Sequence, residues 1–84
     1  MKFESIHEPI EVITHFKNGK QFPLRFKWAG RVYKVKQWNG YWINRQGKST
    51  QHFFSVKADN SDRMELVYDD STLLWQIARI CLEG

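Results

Sequence analysis

Apolar and polar residues alternate along most of the chain, and this period of two predicts β-strands rather than helices. The clearest alternation is in segment 22–28, where large apolar side chains fall on one face and Arg25 and Lys27 on the other. The same pattern predicts strands over segments 8–16, 31–38, 41–45, 52–57 and 63–68. Six or seven short strands at about ten-residue spacing indicate an all-β (mainly β) fold, a small antiparallel sheet, roll or barrel.

Glycine-containing pairs mark the turns between these segments. We expect turns at Asn18-Gly19, Ala29-Gly30 and Asn39-Gly40, and the last is the strongest short signal for a type I′ hairpin. Residues 47–51 are expected to form a loop, and residues 59–62 a turn. Because a two-residue turn fixes the pairing of its strands, the central hairpins can be registered residue by residue.

Taken as two-residue turns, Ala29-Gly30 and Asn39-Gly40 assign the central side chains to two faces. We expect one face to contribute to a core formed by Leu24, Phe26, Trp28, Tyr33, Val35, Trp42, Phe54, Val56, Leu66 and Tyr68. The opposite face is expected to carry bases and aromatic side chains together. We call it the basic-aromatic face, and it consists of Arg25, Lys27, Lys34, Lys36, Trp38, Tyr41 and Arg45.

Like charges oppose each other on the basic-aromatic face. The register places Lys34 opposite Arg25 on one side and opposite Arg45 on the other. Each such pair is unfavourable by roughly a few tenths of a kcal/mol. We therefore expect an acidic neighbour or a bound anion to offset the repulsion.

Glu11 is the candidate for an acidic neighbour within the chain. A two-residue turn at Asn18-Gly19 would place Glu11 opposite Phe26 in the core, which is costly for a carboxylate. A loop that is one residue longer places Glu11 beside Arg25 or Lys27. We therefore expect the longer loop, which neutralises part of the basic-aromatic face.

The last segment of the chain fits two structures. Apolar residues at 73, 74, 77, 80 and 81 form a helical stripe with Asp70 or Ser71 as N-cap, and predict a short C-terminal helix over 72–82. Alternation of residues 75, 77 and 79 with residues 76, 78 and 80 fits a strand, although less regularly. The residue pattern leaves both structures open.

Composition predicts one folded domain over residues 1–84. This length suits one small domain, and 13 aromatic residues are too many for a disordered chain. No apolar run approaches the roughly 18 residues of a membrane span. Cys81 is the only cysteine, so an intramolecular disulfide cannot form and a reducing, cytoplasmic location is expected.

Charge is distributed unevenly along the chain. The net charge is +4, yet no Asp or Glu occurs from Val12 to Ala58, and this span holds ten Lys and Arg residues. The flanking segments hold all nine acids and three bases, a sum of −6. The asymmetry favours an anionic partner for the central span. The alternative is that acidic terminal strands lie beside the basic strands and neutralise them internally.

Residue types that carry catalysis or bind cofactors do not cluster along the sequence. His7, His15 and His52 are too widely spaced for a metal site. Residues 59–62 lack the spacing of a calcium loop, and the adjacent Asp69 and Asp70 are expected to form a turn or a helix cap. No glycine-rich phosphate loop occurs. We therefore expect a non-enzymatic protein with no cofactor and no metal.

The basic-aromatic face is the one group of residues that suggests a mechanism. Single-stranded nucleic acids are held by Lys and Arg at their phosphates and by aromatic side chains that stack on their bases. We therefore expect a binding module for single-stranded DNA. The alternative is a protein–protein interaction module that binds an acidic protein or forms a homodimer, with no role in nucleic-acid binding.

Six motifs along the chain also carry a family resemblance. In order, they are Glu8-Pro9-Ile10-Glu11-Val12, Phe26-Lys27-Trp28-Ala29-Gly30-Arg31-Val32-Tyr33-Lys34-Val35, Tyr41-Trp42, Phe53-Phe54-Ser55-Val56, Glu65-Leu66-Val67-Tyr68-Asp69 and Trp75-Gln76-Ile77-Ala78-Arg79-Ile80. In these motifs the chain resembles a family of small uncharacterised bacterial all-β proteins. That family is a domain of unknown function whose members are often encoded near translesion DNA polymerases.

The resemblance spans residues 8–80 and implies a connection with DNA repair. It also implies a strand rather than a helix over 74–81. The family has no established active site, so the resemblance assigns no functional residue. The chain departs from the family at residues 69–74, where members usually have a polar, glycine-containing turn, so the helix over 72–82 stays open.

Overall fold

Every regular element of the structure, a computed structural model that describes residues 2–82, is a β-strand. The strands are β1 (Lys2–Pro9), β2 (Glu11–Lys17), β3 (Lys20–Trp28), β4 (Arg31–Gln46), β5 (Ser49–Ala58), β6 (Arg63–Asp69) and β7 (Leu74–Leu82). They form one antiparallel sheet in the order β1-β7-β6-β5-β4-β3-β2, which is not closed into a barrel. The predicted all-β antiparallel fold is confirmed in its seven-stranded form.

The strand predicted over residues 8–16 is in fact two strands at opposite edges of the sheet. The break falls at Ile10, whose backbone N–H donates to the carbonyl oxygen of Trp75 at 3.2 Å. Pro9 precedes the break and has no N–H to donate to a ladder. The alternation did not predict β1, whose backbone pairs with β7.

The core lies on one face of the sheet, which we call the inner face. Its fully buried cluster consists of Phe26, Tyr33, Phe54, Val56, Ala58, Met64, Leu66 and Ile77. Five of the ten predicted core residues belong to this cluster, and Trp28, Val35 and Tyr68 pack against it half-buried. The prediction is wrong for Leu24 and Trp42, whose side chains are 41% and 42% exposed.

Asn39-Gly40 lies inside β4 and does not form the predicted hairpin turn. A type I′ turn needs positive φ at both central residues, and neither Asn39 nor Gly40 has it. Trp38 instead pairs with Val56, and Gly40 with Ser55, so Asn39 is the extra residue of a β-bulge.

The chain turns back at Gly47-Lys48, where Gly47 has φ +60°. This turn lies within the predicted loop 47–51, but residues 49–51 already belong to β5. Because β4 runs on to Gln46, it forms ten cross-strand pairs with β5. A hairpin at Asn39-Gly40 would pair the two halves of β4 with each other and leave the backbone groups of β5 without this neighbour.

Bulges in β4 also decide which side chains face the core. An extra residue reverses the alternation, and β4 has one at Lys36 and another at Asn39. Trp38 and Tyr41 therefore lie on the inner face, each opposite a buried residue of β5. Trp42 points outward, where its ring stacks on that of Phe53 at a centroid distance of 5.5 Å.

The β2–β3 hairpin has the expected position of Glu11, although its turn differs from the one predicted. Asn18-Gly19 forms a two-residue turn with φ of +54° and +75°, so the predicted longer loop is wrong. A bulge in β3 at Leu24 supplies the extra residue instead. Glu11 consequently lies opposite Lys27, away from the core.

The C-terminal segment is a strand, so the helix predicted over 72–82 is wrong. β7 pairs with β6 on one side and with β1 on the other, which satisfies its backbone groups without helical bonds. A turn precedes it, in which Oδ1 of Asp69 accepts hydrogen bonds from the backbone N–H and the hydroxyl of Ser71. Within residues 2–82, no helix is long and apolar enough to cross a membrane.

Candidate functional site

An open cleft separates the β2–β3 hairpin from the inner face of β4, β5 and β6. β3 pairs with β4 only through residues 25–28, so the first half of β3 stands apart from β4. The gap has a volume of about 390 Å³. We call it the aromatic cleft, because six aromatic side chains line it: Phe16, Phe22, Trp38, Tyr41, Phe54 and Tyr68.

Trp38 is fixed on the β4 side of the aromatic cleft. Its indole N–H donates to the carbonyl oxygen of Pro23 at 2.9 Å, and its ring forms a T-shaped contact with that of Phe22 at a centroid distance of 6.0 Å. The side chain nevertheless remains 45% exposed. Trp38 therefore presents an oriented aromatic surface to the cleft.

Tyr41 is the second oriented aromatic residue of the cleft. Its ring packs on Phe54 at a centroid distance of 5.0 Å, and it is 53% exposed. Its hydroxyl oxygen lies 2.8 Å from Nδ1 of His52, which also lines the cleft. The bulge at Asn39 places Tyr41 on the same face as Trp38, so the two rings flank the same opening.

His52 is held in place by Asp70, in the turn before β7. Nε2 of His52 lies 3.1 Å from Oδ2 of Asp70, and Oδ1 of Asp70 accepts the backbone N–H of Thr50 at 3.0 Å. The hydrogen bond from Thr50, followed by that from His52, lowers the pKa of Asp70 below its ordinary value. Asp70 is therefore a carboxylate at neutral pH.

Three residues of the predicted basic-aromatic face lie on the outer face of the sheet, away from the aromatic cleft. Arg25 and Lys27 of β3 and Lys34 of β4 alternate with Phe26 and Tyr33, which point into the core. The predicted pairing of Arg25 with Lys34 is confirmed. We call Arg25, Lys27 and Lys34 the outer basic row.

The other two predicted bases lie further along β4. Lys36 is an exposed bulge residue. Arg45 is exposed and pairs with Thr50, on the face that carries Tyr41. The predicted pairing of Lys34 with Arg45 is wrong, because β4 does not fold back on itself. The structure thus divides the predicted face: Trp38, Tyr41 and Arg45 share the side of the cleft, whereas the outer basic row does not.

The Lys and Arg side chains of the central span form no ion pair with an acid among residues 2–82. Among residues 2–82, the contacts within 4.0 Å between a basic and an acidic side chain are Arg79–Glu65 and His52–Asp70. The hydrogen bond to Glu65 raises the pKa of Arg79, which lies outside the span. Internal neutralisation, the alternative raised by the charge pattern, is thus limited in this part of the chain to the cross-strand position of Glu11 opposite Lys27, without an ion pair within 4.0 Å.

Several cleft residues, and the Asp70 carboxylate that holds His52, were not predicted as site residues from the sequence. Phe16 and Phe22 were assigned only to strands, and His52 and Asp70 were assigned to a strand and a turn. His52 and Asp70 are 18 residues apart and meet only because β5 and β6 are paired. Within the described residues, no group of three or more His, Cys, Asp or Glu side chains could hold a metal ion.

Comparisons of the chain with protein-family models, with curated proteins and with solved structures return no match. The functional proposals therefore rest on the residues of this chain and their geometry. The family resemblance of the sequence motifs, and the connection with DNA repair that it implies, stay predictions.

Proposed function

We propose that the protein is a non-enzymatic module that binds single-stranded nucleic acid by stacking unpaired bases in the aromatic cleft. The observation that carries the proposal is the cleft itself, in which Trp38 and Tyr41 are held in place by neighbours and yet about half exposed. Stacking on aromatic side chains contributes about 1–3 kcal/mol per base and tolerates any base. A duplex would offer no free base faces to these rings.

Basic side chains of the protein supply the electrostatic part of the proposal. Lys20 lines the cleft, and Arg45 extends from the strand that carries Trp38 and Tyr41. Neither forms an ion pair with an acid among residues 2–82. Such side chains neutralise phosphates and release counterions, which favours binding of a flexible anionic chain.

Cleft size agrees with a small planar occupant. Ligand pockets commonly enclose about 300–1,000 Å³ and are lined mainly by apolar and aromatic groups with a few polar atoms. The aromatic cleft lies at the lower end of this range, at about 390 Å³. Its polar lining includes Gln21, Asn39 and His52. This composition suits a flat heterocycle with polar edges.

The outer face favours a second candidate function. Ile13 and Val32 are 52% and 54% exposed, and they lie on the same outer surface as the outer basic row. A surface with apolar and basic residues together suits an acidic protein or a second copy of the chain. A concentration-dependent increase in mass would support the homodimer.

Two tryptophans of nearly equal exposure provide the test of nucleic-acid binding. Trp38 is 45% exposed and lies in the cleft, whereas Trp42 is 42% exposed and stacks on Phe53 on the outer face. Trp38→Ala should weaken binding of a short single-stranded oligonucleotide by about 1–3 kcal/mol in a fluorescence-anisotropy titration. Trp42→Ala should leave the affinity unchanged.

Equal losses from the two variants would show that the cleft is not the binding site. Absence of binding by the unmodified protein at low salt and at about millimolar concentration, beyond the usual range of non-specific affinity, would rule out the proposed function. The thermal midpoint of each variant, measured in parallel, separates lost binding from lost folding.

A further inference from the structure

Three side chains from separate parts of the fold form a hydrogen-bonded chain that ends in the aromatic cleft. Asp70 lies in the turn between β6 and β7, His52 on β5 and Tyr41 on β4. The Asp70–His52 contact is 3.1 Å and the His52–Tyr41 contact is 2.8 Å. Tyr41 and His52 both line the cleft, so the chain contributes polar atoms to an otherwise apolar wall.

The positions of the protons in this chain follow from what each group can donate. A carboxylate only accepts hydrogen bonds, so the Nε2 atom of His52 must carry the proton in its contact with Asp70. A neutral imidazole then has no proton on Nδ1. The hydroxyl of Tyr41 must therefore donate to Nδ1 of His52. The tyrosine oxygen is left with only lone pairs to offer to the cleft.

We propose that Tyr41 makes the cleft selective for bases that present an exocyclic amino group. The proposal rests on the proposed function, since the cleft must first hold a base. Adenine and cytosine present amino donors where thymine presents a carbonyl acceptor. An amino group satisfies the lone pairs of Tyr41, whereas a carbonyl oxygen faces them with like polarity. His52 is the positioning residue that fixes this polarity.

The groups that face His52 from each neighbouring element support this assignment. On β4, the direct partner of His52 is Ile43, with Tyr41 two residues before it and Arg45 two residues after it. β6 contributes Tyr68, whose ring centroid lies 5.9 Å from that of His52. The turn after β6 contributes Asp70, with Asp69 adjacent in sequence. Among these groups, Asp70 is the one acidic side chain within 4.0 Å of His52 in the described residues.

Short oligodeoxycytidine and oligodeoxyuridine provide matched probes with one-ring bases. Cytosine has an amino group at C4 and an acceptor at N3, whereas uracil has a carbonyl group at C4 and a donor at N3. At about pH 8, the unmodified protein should bind oligodeoxycytidine about three- to tenfold more tightly, the effect of about one hydrogen bond. Tyr41→Phe keeps the ring for stacking and removes the hydroxyl, so it should abolish this preference. Its affinity for oligodeoxyuridine should not fall.

Replacement of the imidazole tests the positioning role of His52. In His52→Phe, the hydroxyl of Tyr41 no longer has Nδ1 as its acceptor and is free to donate to the cleft, so the preference for oligodeoxycytidine should be lost. A merely structural His52 would leave this preference in place. The Phe variants are compared by thermal midpoint so that unfolded protein is not counted as weak binding.

The outcomes distinguish this proposal from the one on which it rests. Equal affinity for the two oligonucleotides, or a preference that persists in Tyr41→Phe, would overturn the selectivity and leave single-strand binding intact. A preference that persists in His52→Phe would also overturn it. Absence of binding to both oligonucleotides would overturn both proposals.

Discussion

Gly30 follows Trp28-Ala29 and Gly40 follows Trp38-Asn39, but the two glycines have different backbone conformations. Gly30 has φ +79° in a two-residue turn, whereas Gly40 continues β4 without a positive φ. A Cβ atom at Gly40 would lie 3.8 Å from Ser55 and from Trp42, which is ordinary van der Waals contact. Substitution of the two glycines should therefore have different effects, because Gly30 lies in a turn and Gly40 lies next to a bulge.

Gly40→Ala should leave the free energy of unfolding unchanged or raise it by about 0.4–1 kcal/mol, because alanine restricts the unfolded chain. Gly30→Ala should lower it by about 1–2 kcal/mol, because a Cβ atom disfavours the left-handed conformation. Urea denaturation of both variants makes the comparison. An equal loss in Gly40→Ala would mean that residues 39–40 form a turn after all.

The carboxylates of the β6–β7 turn should make stability depend on acid pH. Hydrogen bonds from Ser71 lower the pKa of Asp69, and those from Thr50 and His52 lower the pKa of Asp70, both from an ordinary value of 3.8. A lowered pKa in the folded state adds stability above the ordinary value, and this stability is lost as pH falls through the folded value.

We therefore expect the urea midpoint to fall as the pH is lowered below the ordinary value of 3.8. The Asp69→Asn, Asp70→Asn double variant should show a shallower fall, since it has no such carboxylates to protonate. Glu4 lies on β1, well apart in sequence, and Glu4→Gln serves as the matched control. A double variant that follows the same acid profile as the control would contradict the role of these carboxylates.

At the scale of elements, the sequence predicts strands better than it predicts their connections. Segment 22–28 alternates so regularly that its strand and the inward position of Phe26 are confirmed. Asn39-Gly40 has the local signal of a turn, yet pairing with β5 keeps it extended. The local turn propensity of Asn39-Gly40 could not reveal this, because the residues that keep it extended are Ser55 and Val56 of β5, more than ten residues further along the chain.

The same bulges limit how much of the candidate site could be predicted. Trp38 and Tyr41 were predicted to be together on one face, and both line the aromatic cleft. The prediction that they share this face with Arg25 and Lys34 is wrong, since extra residues at Lys36 and Asn39 reverse the alternation. No period-of-two pattern can locate a bulge before the partner strand is known.

At the scale of the whole molecule, the distribution of Lys and Arg side chains between the two faces of the sheet predicts which of them affect the salt dependence of binding. Lys20 and Arg45 lie on the side of the cleft, whereas Arg25 and Lys34 lie on the outer face. Affinity for single strands should fall linearly with salt on logarithmic axes, with a slope of about −0.7 per phosphate neutralised. Three or four contacts give a slope of about −2 to −3.

The double variant Lys20→Gln, Arg45→Gln should reduce the magnitude of this slope by about 1.4, because two phosphate contacts are lost. Arg25→Gln, Lys34→Gln removes the same charge from the outer face and should leave the slope unchanged. It should also raise stability slightly, since these like charges oppose each other. A larger change in slope in the Arg25→Gln, Lys34→Gln variant would indicate that nucleic acid binds to the outer face instead.

The most direct test of the central claim follows the tryptophan indole N–H signals by NMR while single-stranded DNA is added. The indole of Trp38 lines the cleft and donates to Pro23, whereas that of Trp42 lies on the outer face. The Trp38 signal should shift and saturate while the Trp42 signal stays in place. Movement of Trp42 without Trp38, or no movement of either at about millimolar DNA, would contradict binding in the aromatic cleft.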